Sequence, residues 1–139
     1  MTTGQPATGS KDFDPEIYLR ILIATCKSDR SNGEQELRFV RAKAHQVGLD
    51  FDQFWESTDK SFTMAHQKVS RRTALTILKD SVLLATLDRN YTLQEKERIF
   101  TYAEKLDLPR SDVDALHEWI EAYQQLKRRW QALVDGRVG

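Results

Sequence analysis

Apolar residues recur along most of this chain at steps of three and four, the spacing that lines one face of an α-helix. Ile17, Tyr18, Ile21, Leu22 and Thr25 make the first such face. It is introduced by Asp14-Pro15-Glu16: a capping carboxylate, a proline suited to the first turn, and an acid at the positive helix end. The polar run SDRSNG, 28–33, interrupts it. A second helix is predicted from about Gly33 to Val47, with Leu37, Val40 and Ala44 on one face and Gly48 as its stop. Asp50 caps a third, carrying Phe51, Phe54 and Trp55; periodicity then fades between Ser57 and Gln67, as at a bend or two short helices. Ser70 opens a helix whose stripe is Leu75, Leu78, Val82 and Ala85. Ile77, Leu84 and Leu87 give it apolar surface on other sides, so it is expected at the centre of the fold. Thr92-Leu93-Gln94-Glu95 has the form of a capping box, followed by Ile99, Ala103 and Leu106. After Pro109, Ser111-Asp112-Val113-Asp114 opens a long last helix. Its stripe is Val113, Leu116, Ile120, Tyr123, Lys127, Trp130 and Val134, and its far end is expected to outrun the core.

No segment sustains strand-like alternation, and the β-branched residues sit inside helical patterns. The expected fold is therefore all-α, a compact bundle of about six to seven helices in one domain over 13–135. Residues 1–12, MTTGQPATGSKD, contain no apolar anchor and read as a flexible arm.

The pattern repeats. At an offset of 59 residues Asp29-Arg30 meets Asp88-Arg89 and Gln35-Glu36 meets Gln94-Glu95. Ile23 meets Val82, Val40 meets Ile99, Ala44 meets Ala103, Val47 meets Leu106 and Leu49 meets Leu108, without a gap. Each copy reads as an apolar helix, an Asp at its end, a short loop, a Glu early in the next helix, and a Leu-terminated close. Asp is badly placed at a helix C-terminus, where the dipole is negative, so each copy calls for a compensating positive group: the adjacent Arg or a cation.

Composition narrows the function classes. Lys plus Arg and Asp plus Glu both number 21, giving zero formal net charge and no overall attraction to nucleic acid or an anionic membrane. One cysteine, Cys26, favours a reducing compartment, and the lack of a long apolar run or leader pattern gives a cytoplasmic expectation without direct membrane insertion.

The segments ATCKSDRSNGEQE (24–36) with VGL (47–49), and LLATLDRNYTLQE (83–95) with LDL (106–108), resemble the TerB-like family of tellurite-resistance proteins over roughly residues 15–120. The resemblance implies an all-helical fold of two helix–Asp–loop–Glu–helix units. It also implies a non-enzymatic role in stress-response assemblies, protein partners that include membrane-associated complexes, and divalent-cation binding through acidic residues. The family often has Asp-Gly at the turn where this chain has Asp29-Arg30 and Asp88-Arg89, so here a positive charge stands beside each acid.

The candidate metal ligands are Asp29, Glu36, Asp80, Asp88 and Glu95; Asp80 and Asp88 lie about two turns apart on similar faces of one helix. Clustered, they would suit a hard cation such as Ca²⁺ or Mg²⁺. Unclustered, the Glu residues serve helix N-termini and the Asp residues pair with Arg30 and Arg89; both readings are open. The loop DRSNGE is not an EF-hand, because Gly33 and Val40 fall where that loop needs oxygen ligands. His45, His66 and His117 lack zinc-like spacing, Cys26 sits in an apolar helix, and no phosphate loop, Ser-His-Asp signature or HExxH occurs, so no enzyme is indicated. Two basic clusters, Lys68/Arg71/Arg72/Lys79 and Lys127/Arg128/Arg129 beside Trp130, read as solvated helix faces rather than a nucleic-acid footprint.

Overall fold

A computed structural model describes residues 12–28, 33–86 and 92–136, with backbone alone for Met64. Among these residues six α-helices follow in order: α1 (Pro15–Ser28), α2 (Glu34–Gln46), α3 (Phe51–Ser57), α4 (Arg71–Ala85), α5 (Leu93–Lys105) and α6 (Arg110–Val134). A 3₁₀ turn, Lys60–Met64, occupies the stretch where periodicity fades. No strand occurs among the described residues. The arm expected over 1–12 falls outside them except for Asp12, which is not loose: its carbonyl accepts from Ser70 Oγ and its carboxylate pairs with Arg72 at 3.0 Å.

The caps form where the side chains predict them. Asp14 accepts from Ile17 N, Asp50 from Asp52 N and Ser70 from Thr73 N. Thr92 and Glu95 close a reciprocal box at 3.2 and 2.9 Å. Such caps each stabilise by about 1 kcal/mol.

The 59-residue repeat shows in the backbone of α2 and α5. Adding 59 to the bounds of α2 gives those of α5. Both helices end in the same Schellman turn: Gly48 and Asp107, 59 apart, take positive φ of 77° and 60°. Leu49 N and Leu108 N then reach back to the carbonyls of Ala44 and Ala103, each at 2.9 Å. In the first copy glycine adopts the left-handed conformation at no steric cost; in the second an aspartate does so, with its carboxylate 2.8 Å from His66 Nε2.

Two helices share the centre. α1 is buried at Tyr18, Leu19 and every position from Ile21 to Cys26, which corrects the single buried face predicted for it; Ile17 of that face is only half-buried. It packs on α2, α3, α4 and the 3₁₀ turn. α4 packs against α1, α2, α5 and α6. Its buried face corrects the predicted stripe: Leu78 and Val82 are inaccessible, but their companions are Ala74, Ile77 and Ser81, while Leu75 and Ala85 are only half-buried. The cause is the two-sided packing of α4 between α1 and α5, which swings the core face toward Ile77. It leaves Leu75 to form one wall of a groove against α6.

Candidate functional site

Asp80 belongs to α4 and is buried. The Tyr18 hydroxyl, from α1, donates to its Oδ2 at 2.6 Å. The ammonium groups of Lys43, from α2, and Lys79, one residue before it on α4, stand 3.9 and 3.8 Å from its Oδ1. That oxygen makes no hydrogen bond among the described residues. Burial, reinforced by the carboxylate, pushes the Tyr18 phenol far above its ordinary range, which keeps it a donor. A cavity of about 200 Å³ opens above this group, with Phe13, Val47 and Arg72 also in its wall. Asp80 shares the wall of this cavity with two ammonium groups and a guanidinium, which repel an approaching cation. The carboxylate is thus a tie between three helices, held by its own chain's positive charges.

Of the other candidate ligands, Glu95 and Glu36 are among the described residues. Glu95 is buried and accepts from Thr92 N; Glu36 is half-buried in the first turn of α2, where its charge suits the helix dipole. Asp29 and Asp88, with Arg30 and Arg89, lie outside the described residues. Among the described residues no three His, Cys, Asp or Glu side chains form a group able to hold a metal ion. The histidines are dispersed. His45 is exposed, His66 pairs with Asp107, and His117 stands edge-on to the Phe100 ring at 5.5 Å. Cys26 is buried.

Among the described residues the exposed large apolar side chains, apart from Leu93 on α5, gather on α6. Val113, Leu116 and Ile120 face the body, and Gln124 still reaches Thr86 Oγ1 at 3.2 Å. Beyond that the helix projects, with Leu126 61%, Trp130 65% and Leu133 62% exposed. From Leu116 onward the apolar positions alternate steps of three and four without a break: Leu116, Trp119, Tyr123, Leu126, Trp130, Leu133. This is the a/d seam of a coiled coil, a stripe that needs a second helix to cover it. At ~100° per residue the seam lies roughly a quarter turn from the face that packs on the body. The Trp119 and Tyr123 rings stack at 5.5 Å and 6°, forming a flat plate, and Lys127 Nζ stands 5.6 Å from the Tyr123 ring.

At its N-terminal end the seam runs into a groove of about 310 Å³ between α4 and α6, walled by Leu75, Thr76 and Lys79 on one side and Ala115, Leu116 and Trp119 on the other. An Arg71–Asp112 fork, at 2.5 and 3.0 Å, joins the two helices at the rim of this groove. The seam residues Trp119, Leu126 and Leu133 are not in the stripe predicted for this helix, which starts from Val113 and follows the face that enters the core. The signal that distinguishes them is the 3.5-residue period beginning at Leu116, which drifts away from the body-facing stripe.

Comparison with protein-family models, with curated proteins and with solved structures gives no match. No described helix is long and apolar enough to cross a membrane.

Proposed function

We propose that this chain is a non-enzymatic helical interaction module, TerB-like in the residues quoted above, and that α6 is the element its protein partner grips. The observation that carries this reading is the unbroken heptad seam from Leu116 to Leu133, exposed over its outer half. Contiguous exposed apolar surface on a folded domain marks a binding site more often than isolated exposed residues do. Trp and Tyr are the side chains that most often anchor interfaces. In this reading the partner is bound without a metal: Asp80 serves the body of the fold, and α6 serves the partner. The stress-response role rests on the resemblance of residues 24–36 and 83–95.

The test is site-specific photo-crosslinking in the cells that make the protein. A crosslinker at Leu126 or Trp130 is expected to yield discrete protein adducts, and one at Gln53, exposed on α3, is not. Equal adducts at all three positions, or adducts at Gln53 alone, would overturn the assignment to α6.

A further inference from the structure

We infer that the occupant of the α6 seam is an acidic amphipathic helix from another polypeptide, laid along Leu116–Leu133 with one end in the Leu75–Trp119 groove; this rests on the interaction-module reading above. The heptad register sets the charge of the flanks. With Leu116, Tyr123 and Trp130 at a and Trp119, Leu126 and Leu133 at d, Lys127 falls at e and Arg129 at g, one cation on each side of the exposed stripe. The acids Glu118 and Glu121 fall at c and f, outside the positions that face a partner. Among the described residues neither Lys127 nor Arg129 has an acidic partner.

A second copy does not answer this pattern. In parallel self-pairing, Lys127 meets Ala122 of the other copy and Arg129 meets Val134. In antiparallel self-pairing with Tyr123 against Leu126, the same cations meet Ile120 and Ala122. Either way four cations are brought to one interface with no acid at a facing position. The chain's own N-terminal sequence, MTTGQPATGSK, has no apolar heptad to offer. A lipid surface would favour a broad apolar face, whereas the exposed large apolar residues of α6 fall at a and d, with Val134 at e alone outside them, a narrow stripe that fits one helix. A partner helix with Glu or Asp at its own e and g positions meets both cations while its a and d residues cover the rings.

The probes are two labelled three-heptad peptides with Leu at a and d, one carrying Glu and the other Lys at e and g, titrated with the full chain by fluorescence anisotropy. The Glu peptide is expected to bind at least about tenfold more tightly than the Lys peptide, with a difference that shrinks as salt is raised. The order should reverse in Lys127→Glu/Arg129→Glu, and both should lose binding in Leu126→Asp, whose helicity is checked by circular dichroism. Equal binding of the two peptides would overturn the acidic partner and leave helix docking standing. No binding of either would overturn the helical occupant, while the crosslinking experiment independently judges α6. Self-association abolished by Leu126→Asp in sedimentation would assign the seam to a second copy and overturn the inference. Leu126-dependent binding to vesicles of anionic phospholipid would assign it to a membrane surface, with the same consequence.

Discussion

The Tyr18 hydroxyl and the Asp80 carboxylate meet at 2.6 Å across the contact of the two central helices, with both side chains withdrawn from solvent. Removing one partner of a buried, charge-assisted hydrogen bond leaves the other without compensation. Tyr18→Phe is therefore expected to cost about 1.5–3 kcal/mol in denaturant unfolding. A double-mutant cycle with Asp80→Asn should give a coupling of at least ~1 kcal/mol. A cycle that closes near zero would mean that the bond does not contribute.

The same carboxylate makes a second expectation. A divalent ion bound through Asp80 has to displace Lys43 and Lys79. Millimolar Ca²⁺ or Mg²⁺ should then leave the difference in Tm between wild type and Asp80→Asn unchanged. A cation-dependent rise in Tm that disappears in Asp80→Asn would restore Asp80 as a ligand.

Leu78 and Leu75 are one helical turn apart and differ in surroundings. Leu78 is fully buried, and Leu78→Ala should cost about 2–5 kcal/mol through lost transfer energy and a cavity. Leu75 lines an open groove, and Leu75→Ala should cost no more than about half as much. Urea unfolding of the two variants decides whether the core face of α4 is centred where the packing puts it.

Gly48 tests the backbone alone. A Cβ added there meets nothing within 4 Å, yet its φ is +77°. Gly48→Ala should cost about 1 kcal/mol with no steric clash to explain it, whereas Gly48→Asn should be milder.

His117 sets a pH dependence. Burial, followed by the nearby Lys96, holds its imidazole below the ordinary histidine value. On acidification the unfolded chain then takes up the proton before the folded one. The stabilisation is complete above the unfolded value and is lost as pH falls through and below it. The urea midpoint should drop from about pH 7 to about pH 5 more in the wild type than in His117→Asn. Parallel profiles would remove His117 from the account.

Much of this architecture is legible in the chain because its signals are local. Asp14, Asp50, Ser70 and the Thr92/Glu95 box each act within a few residues, and their helices begin where they say. The repeat is legible because Val40 and Ile99, Ala44 and Ala103, and Leu49 and Leu108 recur at one offset; that Gly48 and Asp107 close the two helices alike is not, since the residues differ. The destination of Asp80 is not legible, since Tyr18 lies 62 residues away and periodicity cannot say which helix will supply a hydroxyl. The seam is hidden for another reason. Over its first turns α6 serves two faces at once, and the stripe that enters the core masks the one that does not.

The projection of α6 past Gln124 also has a kinetic side. Residues 125–134 form under three turns of helix, about 15 Å, joined to the body at one end only. A helix that short in water is held by little beyond its own propensity, so it should fray and re-form many times while the bundle stays intact. Amide hydrogens there should exchange by local opening, far faster than those of α1 and α4. Any partner must then supply the entropy of ordering this segment out of its binding energy. Arg128→Gly, at the outward f position, should weaken association through the free ensemble alone, by raising the off-duty disorder of the helix rather than by removing a contact. Arg128→Ala, which favours helix, should not. In this way the residues that face away from the partner set how tightly it is held.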